Sequence, residues 1–204
     1  MKILSAQNLY DMKQECFEFT GKFQEVFGNP PTTGVWAVQG AEKHGKTSFM
    51  LSLVKYLSGF AKVLYVSAEE GTDPLFINAV QRANIPSTNQ IGFLPYISIE
   101  ELNYKLKKRN APRIVIIDNM TVYRDELRRN RIIEFMRENK DILLIFISHE
   151  EKNKQPSTAS GKLVRKLAKI IIRIEGAQAQ IMGRCPGGII EIYEPSAQKY
   201  GIKL

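Results

Sequence analysis

The stretch VQGAEKHGKTSFM, residues 38–50, decides how the rest of this chain is read. Gly40 and Gly45 bracket four residues, and Lys46 and Thr47 follow at once, matching GxxxxGK[ST] without a mismatch. The context agrees, because VWAVQ (35–39) has the composition of a buried strand and KTSFMLSLVKYLSG (46–59) that of a helix. Glycines let such a loop wrap tightly, so that its backbone N–H groups point inward at phosphate oxygens. The helix N-terminus adds partial positive charge. Lys46 can reach the β- and γ-phosphates of a nucleotide, and the Thr47 hydroxyl can ligate Mg²⁺. Gly40, Ala41, Glu42, Lys43, His44, Gly45, Lys46, Thr47 and Ser48 are therefore the expected cradle for ATP.

Outward from this loop the pattern alternates. Strands are expected at KVLYVS (62–67), IGFLPY (91–96), RIVIID (113–118) and DILLIFIS (141–148). Helices are expected at 73–83, with Pro74 in the first turn, at 98–109, with Ser98 and Glu101 in a capping-box pattern, and at 124–139. Continuous apolar strands separated by helices imply a parallel sheet covered on both faces, an α/β fold. KIIIRIE (169–175), AQAQIM (177–182) and GIIEIYE (188–194) lie close together and read as a C-terminal antiparallel extension. Met12, Cys16, Phe19, Phe23 and Phe27 recur at helical spacing, giving one N-terminal helix over about residues 5–27 that GNPPTTG ends. Its apolar stripe covers the chain's own sheet or packs on a neighbouring subunit. The division is an N-terminal helix and loop over 1–30 and an ATPase domain over 31–204.

Composition bounds the function. The chain has 204 residues, 44% hydrophobic and 25% charged, which suits a single core. Two cysteines and two histidines leave no material for a disulfide framework or zinc cluster and fit a reducing cytoplasm. The N-terminus is too polar for a signal peptide, and no apolar run is long enough to span a membrane. The net charge of +8 fits either a polyanionic partner or plain solubility.

A phosphate-binding loop alone hydrolyses nothing. Asp118 closes a buried strand at the carboxyl edge, where ligands bind in open α/β sheets, and is the candidate second metal ligand beside Thr47. Glu69, with Glu70 as its neighbour, follows KVLYVS at the same edge and can orient an attacking water. His149 ends DILLIFIS there and reads either as a phosphate sensor or as a structural histidine.

Together these segments resemble the RecA-like ATPase superfamily, with VLYVSAEEG, IVIID followed by Asn119, and IFISHEEK similar to segments of the RadA, KaiC and DnaB group. The resemblance covers roughly residues 34–194 and extends to compact phage-encoded recombination and replication ATPases, although nothing in these residues resembles the extra domains of full RadA or DnaB. It implies an ATP- and Mg²⁺-dependent ATPase that assembles head-to-tail as a ring or filament and acts on single-stranded DNA. It implies catalytic roles for Lys46, Glu69 and His149, and for Arg184 acting in trans on a neighbour's γ-phosphate. The sequence departs at two points. Met182 stands where the family pairs a lysine with that arginine, and Glu42-Lys43-His44 replaces a Pro-Gly type core, so slow turnover is expected. The DNA is expected along NMTVYRDELRRN (119–130), with Arg124, Arg128 and Arg129 and with Tyr123 stacking on a base, and along a mobile EEKNKQPSTASGK (150–162), with Lys152, Lys154 and Lys162. Two other classes remain open: a weakly or non-hydrolysing RecA-like paralogue serving as a nucleotide-gated partner-binding subunit, and a KaiC-like signalling ATPase.

Overall fold

The computed structural model describes residues 3–128 and 130–192. Among these residues eight strands form one sheet in the order β3-β2-β4-β5-β1-β6-β7-β8. The phosphate-loop strand β1 (Gly34–Gly40) lies inside it, between β5 (Leu143–His149) and β6 (Ile170–Glu175). Strands β2 (Val63–Ser67), β3 (Ile91–Leu94) and β4 (Ile114–Asp118) complete the parallel part. Only β7 (Gln178–Gly183) and β8 (Gly188–Glu191) run antiparallel.

Alternate residues of the central strands feed two cores. Trp36, Val38, Tyr65, Ile116 and Ile145 face α3 (Lys46–Leu57), α4 (Pro74–Arg82) and the N-terminal segment. Ala37, Val66, Val115, Ile117 and Phe146 face α5 (Ile99–Leu106), α6 (Arg131–Glu138) and α7 (Ala159–Leu167). Both faces of the central strands β1, β4 and β5 are thus dry, which is why these strands read as unbroken apolar runs.

Four expectations need correction. The N-terminal segment is two short helices, α1 (Ala6–Tyr10) and α2 (Gly21–Phe27), and not one helix over 5–27. Between them Phe17 donates its N–H to Pro30 O at 2.8 Å, so Phe17 and Phe19 point inward at a strand's period of two while Met12 stays exposed. The helix expected over 124–139 begins only at Arg131. In the turns before it, the Glu126 carboxylate accepts from Ile99 N and Tyr96 Oη, both at 2.7 Å, and these tertiary bonds override helix propensity. Residues 150–162 are not one mobile loop: Thr158 caps α7 by accepting from Gly161 N, and Gly161 packs where a Cβ would meet Ser148 Oγ at 2.8 Å. This helix is a crossover, and a crossover returns the chain in its original direction. Strand β6 is therefore parallel to β1, not part of the antiparallel extension.

Candidate nucleotide site

The carboxyl ends of β1, β2, β4 and β5 open into a cleft of about 440 Å³ lined by the phosphate loop, Glu69, Glu70, Asp118 and His149. Gly40 has no alternative, because a Cβ there would lie 2.4 Å from Ile174 O on the neighbouring strand. Gly45 sits at φ 90 as the N-cap of α3, a conformation that turns the loop directly into the helix. His44 Nδ1 accepts from Gly176 N at 3.2 Å, tying the loop to the β6–β7 turn. Thr47 and Ser48 occupy the first turn of α3 and line the cleft.

Lys46 curls back over its own loop, donating to Gly40 O at 3.1 Å and Ala41 O at 2.7 Å. Burial pulls its ammonium below the usual lysine range, against the attraction of Asp118, Glu69, Glu42 and Glu150. The cation is thus held at the mouth of the loop by neutral acceptors that an anionic ligand would outcompete.

Asp118 accepts a hydrogen bond from Tyr65 Oη on the adjacent strand. Burial pushes its carboxyl up to about 6; the Tyr65 bond and Lys46 oppose this, and the charges of Glu70 and Glu69 add to it. Burial and the nearby Asp118 carboxylate likewise hold the Tyr65 phenol well above its usual range. Glu70 is raised by burial and by its neighbours Glu69 and Asp73. Asp118, Glu69 and Glu70 crowd together at this edge, and of the cleft's cations Lys46 is the one whose charge bears on Asp118 and Glu70, a local deficit of positive charge. A Mg²⁺ ion fits that deficit. Thr47 and Asp118 would supply protein oxygens, and magnesium takes few of these when phosphates and water provide the rest.

The Glu69 carboxylate is gripped from two sides. His149 Nε2 lies 3.2 Å from Oε1 and 3.1 Å from Oε2, and the Asn119 side-chain amide donates to Oε2. Asn119 Nδ2 is also 2.9 Å from His149 Nε2, and its Oδ1 accepts from Thr121 N at 2.8 Å, which fixes which end of the amide faces the carboxylate. Asn119 was visible in the sequence only as the residue after Asp118, without a role. Tyr65 was missed, although a tyrosine inside a fully buried strand must find a partner for its hydroxyl. Arg82, at the last turn of α4, also lines the cleft and carried no sequence signal.

The remaining expected residues lie elsewhere. Arg184 is exposed just beyond β7, at the amino edge of the sheet, since Gly183 pairs with Ile170 while Ile174, level with Gly40, pairs with Ala179. At about 3.3 Å per residue this places it roughly 17 Å along the sheet from its own phosphate loop. Tyr123 cannot stack on a base: it is fully buried and donates to Ile97 O at 2.8 Å. Arg124, Lys152 and Lys154 are exposed, Arg128 faces Asp125 at 4.0 Å, and Lys162 lies on α7, 3.9 Å from Glu151. Arg129 lies outside the described residues. The 150–158 segment is anchored by a nearly buried pair, in which Arg173 donates to both Glu150 oxygens and Gln39 Nε2 donates to Glu150 Oε2 at 2.9 Å.

A parallel sheet with this loop, this strand order and an antiparallel C-terminal ribbon is a RecA-like P-loop fold. Among solved structures the chain is similar to the flagellar accessory protein FlaH from Methanocaldococcus jannaschii, at a TM-score of 0.64 and 13% identity over 89% of this chain and 96% of that one. At that identity the likeness speaks for the fold. No protein-family model matches the sequence, and no curated protein does. Among the described residues, no helix is long and apolar enough to cross a membrane.

Proposed function

We propose that the chain is a RecA-like ATPase of the kind its motifs resemble, binding ATP with Mg²⁺ and hydrolysing it slowly in a head-to-tail assembly on single-stranded DNA. The observation that carries the reading is the convergence of Lys46, Thr47, Asp118, Glu69 and His149 on one cleft at the carboxyl edge of the sheet.

The loop amides and Lys46 bind and orient the phosphates, and Mg²⁺ supplies charge neutralisation of the transferring group. Glu69 orients and deprotonates the attacking water; the Asn119 amide aims its carboxylate, and His149 Nε2 lies beside it. Arg184 lies too far from its own cleft to act there, and the resemblance gives its charge to a neighbouring copy. With Met182 beside it in place of a second cation, the transition state is under-neutralised and turnover is slow.

A second reading is favoured by one feature. Glu69 is already engaged by both Asn119 and His149, as in a subunit that binds nucleotide to set its shape and rarely turns it over. Phosphate release at saturating ATP, with and without oligo(dT), separates the two. Glu69→Gln should retain ATP binding and lose turnover; release at background level by wild type and Glu69→Gln alike would refute the hydrolytic reading and leave the second.

A further inference from the structure

At the amino edge of the sheet, opposite the nucleotide cleft, the chain leaves α5 through Tyr104-Lys105-Leu106-Lys107-Lys108-Arg109. Lys105, Lys108, Arg109 and Arg113 are all exposed. Arg113 N donates to Lys62 O at 3.0 Å, which brings the exposed Lys62 to the same rim. The end of α6 is drawn alongside by Lys107 Nζ on Glu138 at 2.7 Å and by Asn139 Nδ2 on Asn103 Oδ1 at 2.9 Å, adding the exposed Lys140. Glu138 and Asp141 are the acids at this rim, and Glu138 is already taken by Lys107 and Asn103. Among the described residues, Lys62, Lys105, Lys108, Arg109, Arg113 and Lys140 belong to no ion pair.

One exposed aromatic ring belongs to the same basic run of the chain. Tyr104 is 66% exposed, and Lys108 Nζ lies 4.6 Å from its ring centroid. Cations free of carboxylate partners and an exposed ring on the same rim are the two components of sequence-tolerant single-strand binding: phosphate tracking and base stacking. The carboxyl-edge segments 119–130 and 150–162 keep Arg124, Lys152 and Lys154 exposed but offer no exposed ring beside them, since Tyr123 is buried, and their Arg128 and Lys162 each face an acid.

We propose that this amino-edge surface is the single-stranded nucleic-acid site, with Lys105, Lys108, Arg109, Arg113 and Lys62 on backbone phosphates and Tyr104 stacked on a base. The proposal rests on the nucleic-acid partner put forward above and not on ATP turnover.

The test is fluorescence anisotropy of labelled oligo(dT) with the full chain across a salt series. The variants are Lys105→Ser/Lys108→Ser/Arg109→Ser, Tyr104→Ala and Lys152→Ser/Lys154→Ser, with circular dichroism and melting checked for each. Every changed side chain is exposed, so the fold should survive. The triple variant should bind at least about tenfold more weakly at low salt, with its log–log salt slope reduced by about 0.7 per lost contact. Tyr104→Ala should lose about fivefold or more with its slope unchanged, because stacking releases no counterions. If only the Lys152/Lys154 variant loses affinity, the site is misplaced and the nucleic-acid reading stands. Absence of any oligo(dT) binding overturns both. If polyglutamate competes as well as oligo(dT) and Tyr104→Ala has no effect, the surface is a general anion face and the proposal fails.

Discussion

His149 Nε2 sits 3.1 Å from Glu69 Oε2, and the Asn119 amide touches both partners. One imidazole nitrogen cannot donate to the carboxylate and accept from the amide at once, so the contact is settled by whichever tautomer His149 adopts. Among the described residues His149 Nδ1 is buried without a hydrogen-bond partner, and it does not fix that choice. A water or phosphate oxygen arriving at Nε2 would do so, which is how a residue at a strand end can register the state of a nucleotide.

The first prediction concerns Asn119. Asn119→Ala frees Glu69 from the donor that aims it and should lower turnover by about tenfold, a part of what positioned acid–base catalysis contributes. ATP affinity should stay within about twofold. Asn119→Asp sets a like charge against Glu69 and should do worse. Phosphate release and nucleotide titration on the same preparations distinguish loss of chemistry from loss of binding, and an unchanged kcat for Asn119→Ala would remove the positioning role.

Asp118 gives a prediction about stability. Its carboxyl, ordinarily near 3.8, is raised to about 6 by burial. The folded protein therefore binds more protons than the unfolded chain between those values, and nucleotide-free stability falls as pH rises through that window. Roughly two pH units correspond to about 3 kcal/mol. Asp118→Asn removes this cost and should raise the urea midpoint at pH 7 while abolishing Mg²⁺-dependent ATP binding. A lower midpoint would contradict it.

The Glu150 carboxylate shows the opposite sign. Burial pushes it up, but hydrogen bonds from Arg173 and Gln39 outweigh that and leave it below its usual range. Its contribution is present above the unfolded value and is lost as pH falls through the folded one. Arg173→Met strands a buried charge and should destabilise by about 3 kcal/mol, read by urea unfolding. The double change with Glu150→Gln should recover part of it.

Arg184 lies at the edge of the sheet opposite its own cleft, so Arg184→Ala should leave ATP binding intact and stop turnover. Mixing it with Lys46→Ala restores interfaces that pair an intact loop with an intact arginine, and activity should return. A silent mixture alongside an active wild type would exclude action in trans. Met182→Lys should accelerate hydrolysis by supplying the missing cation.

How much of this could be read from the sequence depended on how local each signal was. The phosphate loop, its strand and its helix were legible because Gly40, Gly45, Lys46 and Thr47 must stand at fixed spacing. Asp118, Glu69 and His149 were legible as the polar residues ending apolar runs, and the sheet brings them to one edge. Asn119, Tyr65 and the Arg173–Glu150 pair were not, because each acts through a residue far away in the chain. Helix α7 was hidden by Ser157, Thr158, Ser160 and Gly161, which read as loop, though Thr158 is a cap and Gly161 a close-packing contact. The N-terminal stripe misled because Phe19, Phe23 and Phe27 keep helical spacing across a boundary at Gly21.

The most direct measurement is titration calorimetry of ATP with Mg²⁺ on the wild type and on Lys46→Ala, with melting curves of both. The wild type should bind one nucleotide per chain. Lys46→Ala should bind none detectably and melt within a few degrees of the wild type, since among the described residues Lys46 donates only to its own loop. Unchanged binding by Lys46→Ala would contradict the assignment of the cleft and the function built on it.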